Sequence, residues 1–237
     1  MKKLKNTKET SETKHSCEFC NRSFIRESTL MKHLCEYKHR WLNKDEHGNR
    51  IGFQTWLQFY VKNSASTTKN RTYLEFIKSS YYAAFTKFGH YCVNSNVINV
   101  ARYVDWLLKN QIGIDSWNTD TQYTKFLISH LKDEDPLDAI ARSIETTIVL
   151  AESDKIQTKD CLRYGNKNRV CYAITTGKIS PWMLYHSESG KEFLSKLDET
   201  QVKMILDYIQ PEQWAIKFKR NTNIVPQVQE LLAAGGY

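Results

Sequence analysis

The chain has 237 residues, 41% hydrophobic and 25% charged, with a formal net charge of +8, the balance of a soluble globular protein with room for a sizeable core. No run of about 18 or more apolar residues occurs, which excludes a membrane-spanning helix. The Lys- and Thr-rich opening MKKLKNTKETSETK lacks the apolar segment of a secretory signal.

The positive charge is unevenly placed. Residues 1–100 carry 17 lysines and arginines against 8 acidic residues, and the remainder carries 17 against 18. Nucleic acid, DNA or RNA, is the natural partner for the basic part. Residues 1–14 read as a disordered basic tail. With no signal sequence, the thiols are expected to stay reduced in a cytoplasm.

The next segment, CEFCNRSFIRESTLMKHLCEYKH, sets Cys17-x2-Cys20-x12-His33-x5-His39. Cysteines three apart form a knuckle whose sulfurs converge on one ion, and a following helix brings histidines from the far side. Two thiolates and two neutral imidazoles leave tetrahedral Zn²⁺ without net charge. Phe24 and Leu30 are expected to pack together beneath it. Cys35 offers an alternative: four residues before His39, it could replace His33 in a set of three cysteines and one histidine. Against that, Leu30 predicts His33, and Cys35, two residues on, would point roughly the opposite way on a helix.

These ligand and core positions resemble the two-cysteine, two-histidine zinc finger over about 25 residues. The resemblance implies a ββα unit at 15–42 holding Zn²⁺ through Cys17, Cys20, His33 and His39. HLCEYKHR is similar to the tail of the matrin-type fingers, which implies double-stranded RNA or ribonucleoprotein assembly. Six helical steps from His33 to His39 turn about 600°, so the helix must loosen before His39. If Leu30 is the fourth helical residue, Arg26, Thr29 and Lys32 take the positions that contact bases in DNA-reading fingers. Ser28, Lys38 and Arg40 join them as candidate nucleic-acid contacts. One finger covers only about 3 bp, so strong binding needs the tail (Lys2, Lys3, Lys5, Lys8) or the basic-aromatic stretch with Arg50, Trp56, Lys62, Lys69 and Arg71. The alternative use of the finger is to dock a protein partner in an assembly.

A junction around His47-Gly48-Asn49 leads to one helical domain over 50–237. RTYLEFIKSSYYAAFTKFG predicts a single helix on Tyr73, Ile77, Tyr81, Phe85 and Phe88, stopped by Gly89. NVINVARYVDWLLKNQIG predicts another, stopped by Gly113, and TDTQYTKFLISHLKDED carries Tyr123, Phe126, Leu127 and Leu131 on one face. Next, Asp135 caps and Pro136 suits the first helical position, ahead of a stripe of Leu137, Ile140, Ala141, Ile144 and Ile148. RVCYAITTGKIS fits a strand or a short helix ending at Gly177. Asp198 and Gln201 have capping-box spacing before Val202, Ile205, Leu206 and Ile209, and Pro211 closes that helix. The fold class is mainly α, with an N-terminal ββα finger before a multi-helix domain.

No phosphate loop or nucleophile motif is present, and no catalytic residue is assigned. Asp133, Glu134, Asp135 and Asp138 could hold Mg²⁺ in a nuclease, but acidic residues also suit a helix start. His90, His130 and His186 are isolated and read as packed or solvated. Cys92, Cys161 and Cys171 read as buried small hydrophobes. GKISPWMLYHSESGKEFLSKLDETQVKMILDYIQPEQWAIKFKR, together with the finger, resembles uncharacterised proteins of large tailed bacteriophages. That implies a host cytoplasm and makes Trp182, Trp214 and Phe218 core or partner-surface aromatics.

Overall fold

The computed structural model describes residues 15–63 and 71–237. The basic tail expected at 1–14, and Lys69, lie outside these. The protein is mainly helical, with a small two-stranded sheet near its N-terminus. It divides into two compact units, Met1–His90 and Tyr91–Tyr237, so the segment expected to form a finger shares a unit with the helices as far as His90. This division differs from the expected boundary between a finger at 15–42 and one helical domain over 50–237. The charge follows the same division, because residues 91–100 contain no charged side chain.

In the first unit, β1 (His15–Ser16) pairs antiparallel with β2 (Ser23–Phe24), His15 opposite Phe24. The turn between them closes through Cys17 N–H to the Arg22 carbonyl at 2.9 Å, with Asn21 left-handed at φ 59°. Then come α1 (Glu27–Lys32), α2 (Glu36–Leu42), α3 (His47–Asn63), α4 (Tyr73–Lys78) and α5 (Tyr82–Asn94).

The helix expected over 71–89 is two helices. Ser79 is extended (φ −69°, ψ 143°), and its hydroxyl takes the Tyr81 N–H at 3.1 Å, the local competition by which serine breaks a helix. Gly89 stops nothing. It lies inside α5, where an added Cβ would stand 2.0 Å from the Gly48 carbonyl oxygen, so its missing side chain lets α5 cross α3 in contact. Trp56, Phe76, Ile77, Tyr82, Phe85 and Phe88 form the buried core of this unit.

The second unit contains α6 (Val100–Lys109), α7 (Asp120–Asp133), α8 (Pro136–Asp154), α9 (Cys161–Tyr164), α10 (Lys167–Thr175), α11 (Pro181–His186), α12 (Glu188–Ser195), α13 (Glu199–Ile209), α14 (Pro211–Arg220) and α15 (Val225–Ala234). Asp135 caps α8 by accepting the Leu137 and Asp138 N–H groups, and Pro136 opens it. The Asp198–Gln201 capping box forms as its spacing requires. Gly113 lies past the end of α6, which instead closes at Asn110.

Residues 169–175 are helical, and Gly177 follows with φ 76°, so the helical reading holds there. The buried face of α8 differs from the expected stripe: Ala139, Ile140, Ser143, Thr147 and Ala151 face inward, while Ala141 and Ile148 are exposed. On α13, Ile205 and Ile209 are buried and Val202 and Leu206 remain partly in solvent. Trp182, Trp214 and Phe218 pack on one another within the core of this unit. Among the described residues, no helix is long and apolar enough to cross a membrane.

Candidate metal centre

Four side chains converge in the N-terminal unit. The ligand atoms of Cys17, Cys20, His33 and Cys35 all lie within 4.8 Å of one another. Cys17 Sγ is 3.9 Å from Cys35 Sγ, and Cys20 Sγ is 3.3 Å from His33 Nε2. Bonds of about 2.3 Å to sulfur and about 2.0–2.1 Å to nitrogen, set tetrahedrally, separate neighbouring ligands by about 3.5–3.8 Å. The cluster is therefore of a size and chemistry that can hold one metal ion.

Each ligand is positioned by local backbone. The β1–β2 turn presents Cys17 and Cys20 on the same side. The Phe24 ring lies 4.8 Å from that of His33, so β2 braces the imidazole. α1 ends at Lys32, and His33 is extended (φ −70°, ψ 120°), as is Cys35 (φ −85°, ψ 165°). In extended backbone residues two apart face the same way, so His33 and Cys35 reach the cluster together while Leu34 turns outward, 59% exposed.

This group differs from the ligand set expected from sequence. The helical geometry that seemed to turn Cys35 away from His33 does not exist at those residues. His39 lies outside the group: it is exposed on α2, with Nε2 3.4 Å from Asn43 Nδ2. Cys35 stands where His39 was expected, and His33 keeps its place. The required loosening of the helix is the extended 33–35 segment itself.

Cys17 is buried, and burial alone would raise its thiol. Hydrogen bonds from the backbone of Cys20 and Phe19 outweigh this and hold it below the usual thiol range. At Cys20 a backbone bond from Arg22 favours the thiolate, but burial and the two neighbouring thiols prevail and raise it. Two further contacts support the site from α2: the Lys38 N–H reaches Cys35 Sγ at 3.4 Å, and its Nζ donates to the His33 carbonyl at 3.2 Å.

The candidate nucleic-acid contacts fall into two groups. α1 begins at Glu27, so Leu30 is its fourth residue, and Arg26, Ser28, Thr29 and Lys32 are exposed on a helix with no buried residue. Arg40 is instead engaged inside the unit. Its Nη1 donates to the Ile77 carbonyl at 2.7 Å, it pairs with Glu36, and its guanidinium sits 4.3 Å from the Tyr82 ring centre. Lys38 is committed to His33 as described. Arg71 lies over Tyr60 at 3.8 Å.

Two residues of the acidic run at 133–138 have structural partners. Glu134 is buried against Arg142, and Asp135 caps α8. His130 stacks on Phe126 at 5.0 Å, and His186 Nδ1 donates to the Trp182 carbonyl, 3.1 Å away. Cys92, Cys161 and Cys171 are buried, and burial pushes the first two thiols up to about 12 and about 11. The residue that sequence reasoning underrated is Cys35. Its signal was present in the five-residue histidine gap, which no continuous helix can bridge.

No protein-family model, no curated protein and no solved structure matches the chain.

Proposed function

We propose that the cluster binds Zn²⁺ and that the N-terminal unit is a zinc-stabilised nucleic-acid-binding module of an accessory protein. Three thiolates with one imidazole are a closed tetrahedral set of the kind zinc takes in structural sites. The observation that carries the nucleic-acid reading is α1, which presents Arg26, Ser28, Thr29 and Lys32 to solvent while burying no residue. The charge distribution supports it, since the excess of lysine and arginine falls wholly in the unit that holds the cluster. Arg40 and Lys38 serve the fold and leave this contact set.

The test is affinity for duplex DNA, duplex RNA and single strands as salt rises from about 50 to about 200 mM. Affinity should fall steeply with salt, and the double substitution Arg26→Ala, Lys32→Ala should flatten the slope while zinc content stays unchanged. Binding to none of these polymers would remove the reading.

A protein-docking role has its own support in Ile25, Met31 and Leu34, which are 69%, 74% and 59% exposed around the finger. It predicts that Met31→Lys abolishes function while the Arg26/Lys32 double substitution is silent.

A further inference from the structure

Cys35 belongs to two structures at once. Its Sγ is part of the four-ligand cluster, and the same atom accepts the Lys38 N–H that opens α2. The other end of α2 is fastened to the helices that follow. Besides the Arg40 bond to Ile77, the Trp41 ring meets Tyr73 edge-on at 5.9 Å, and the Tyr73 hydroxyl reaches the Arg40 carbonyl at 3.5 Å. Phe19, between the two knuckle cysteines, stands 5.8 Å from the same Trp41 ring. Contacts from the cluster side and from α4 therefore converge on one short helix.

α2 has seven residues and buries none of them fully. A helix of that length does not persist in water on its own propensity. It depends on what holds its two ends: the metal cluster at Cys35, and α4 with the start of α5 at Arg40 and Trp41.

We infer that the metal is a latch for the whole Met1–His90 unit: its occupancy fixes α2, and through α2 the docking of the finger on α4 and α5. The inference rests on the reading of the cluster as a zinc site. Zinc loss then releases Arg40 from Ile77 and Trp41 from Tyr73, and does more than loosen the knuckle. Linkage makes the coupling reciprocal, so weakening the Arg40 contact weakens zinc binding although Arg40 touches no ligand.

Hydrogen exchange on the full chain tests this, comparing zinc-loaded protein, chelator-stripped protein, Cys35→Ser and Arg40→Ala. Cys35→Ser is informative because serine keeps an oxygen that can cap α2 while removing the thiolate. Stripping and Cys35→Ser should each speed exchange in 36–42 and 73–78 by about tenfold or more, with α8 unchanged. Arg40→Ala should weaken zinc affinity by about fivefold or more. Retention of protection in 36–42 and 73–78 after zinc is shown to have left overturns the latch and leaves the zinc site standing. A protein that takes up no zinc overturns both.

Discussion

Glu134 and Arg142 meet along two parallel contacts, Nη1 to Oε2 at 2.7 Å and Nη2 to Oε1 at 2.9 Å. Nε of the same guanidinium donates to the Gly177 carbonyl at 2.9 Å, and the Ser180 hydroxyl donates to Glu134 at 3.3 Å. One ion pair thus ties the end of α7, the body of α8 and the turn after α10. Burial raises the Glu134 carboxyl, and Arg142 offsets this only in part. Replacing Arg142 alone strands a carboxylate whose side chain is 4% exposed. Arg142→Met should therefore cost about 3 kcal/mol, and adding Glu134→Leu should recover most of it. Chemical denaturation of both variants checks this; an unchanged midpoint for Arg142→Met would show the pair to be dispensable.

His130 gives a pH dependence of definite sign. Burial, with Arg102 and Arg142 nearby and Asp133 opposing them, lowers its pKa to about 4. Between about pH 6.5 and 4 the unfolded chain binds a proton there that the folded chain does not, so stability falls as pH falls through that window. Glu134 works the other way: its folded pKa is raised, so its contribution is lost as pH rises above the ordinary carboxylate range. Comparison with His130→Phe isolates the first effect. The fall in melting temperature from pH 7 to pH 4.5 should be smaller in the variant by about 3 °C, and an equal fall would refute the assignment.

Alanine for a mid-helix glycine normally stabilises by up to about 1 kcal/mol. Gly89→Ala should do the reverse, because its Cβ would meet backbone atoms, the Gly48 oxygen at 2.0 Å and the Gly52 nitrogen at 2.7 Å. Overpacking of this kind costs about 1–3 kcal/mol. A thermal melt of Gly89→Ala above that of the wild type would mean that α3 and α5 do not cross in contact.

The ligand set is tested by zinc content after dialysis. Cys17→Ser, His33→Ala and Cys35→Ser should each lose the metal, while His39→Ala retains it at one equivalent per chain. Because the ligands bind zinc in their deprotonated forms, acidification should release it, and indicator titration would follow both ion and protons. Zinc loss in His39→Ala with retention in Cys35→Ser would restore the histidine-rich set.

Much of this was legible in the residues. Asp135-Pro136 and the Asp198–Gln201 pair marked helix starts because capping is a local property of a few side chains. Cys17, Cys20 and His33 were legible for a similar reason, their spacing constraining the chain directly. Cys35 was legible only indirectly, through the histidine gap, since the face it presents depends on whether 33–35 is helical or extended, and neither Gly nor Pro marks the change. The break at Ser79 was hidden because Tyr73, Ile77, Tyr81 and Phe85 keep helical spacing straight across it. On α8 the inward face includes Ala139, Ser143 and Thr147, chosen for close approach and hydrogen bonding: the Ser143 hydroxyl donates to Ala139 and accepts from Ser180. Hydropathy cannot see such a face.

Exchanging an imidazole for a third thiolate alters which ions the cluster favours. Three sulfurs and one nitrogen form a softer donor set than the two-and-two arrangement, and soft donors select soft, thiophilic metals. Cadmium and copper(I) become direct competitors for the place proposed for zinc. In a cell burdened with either, the proposed zinc form would meet competition from that ion.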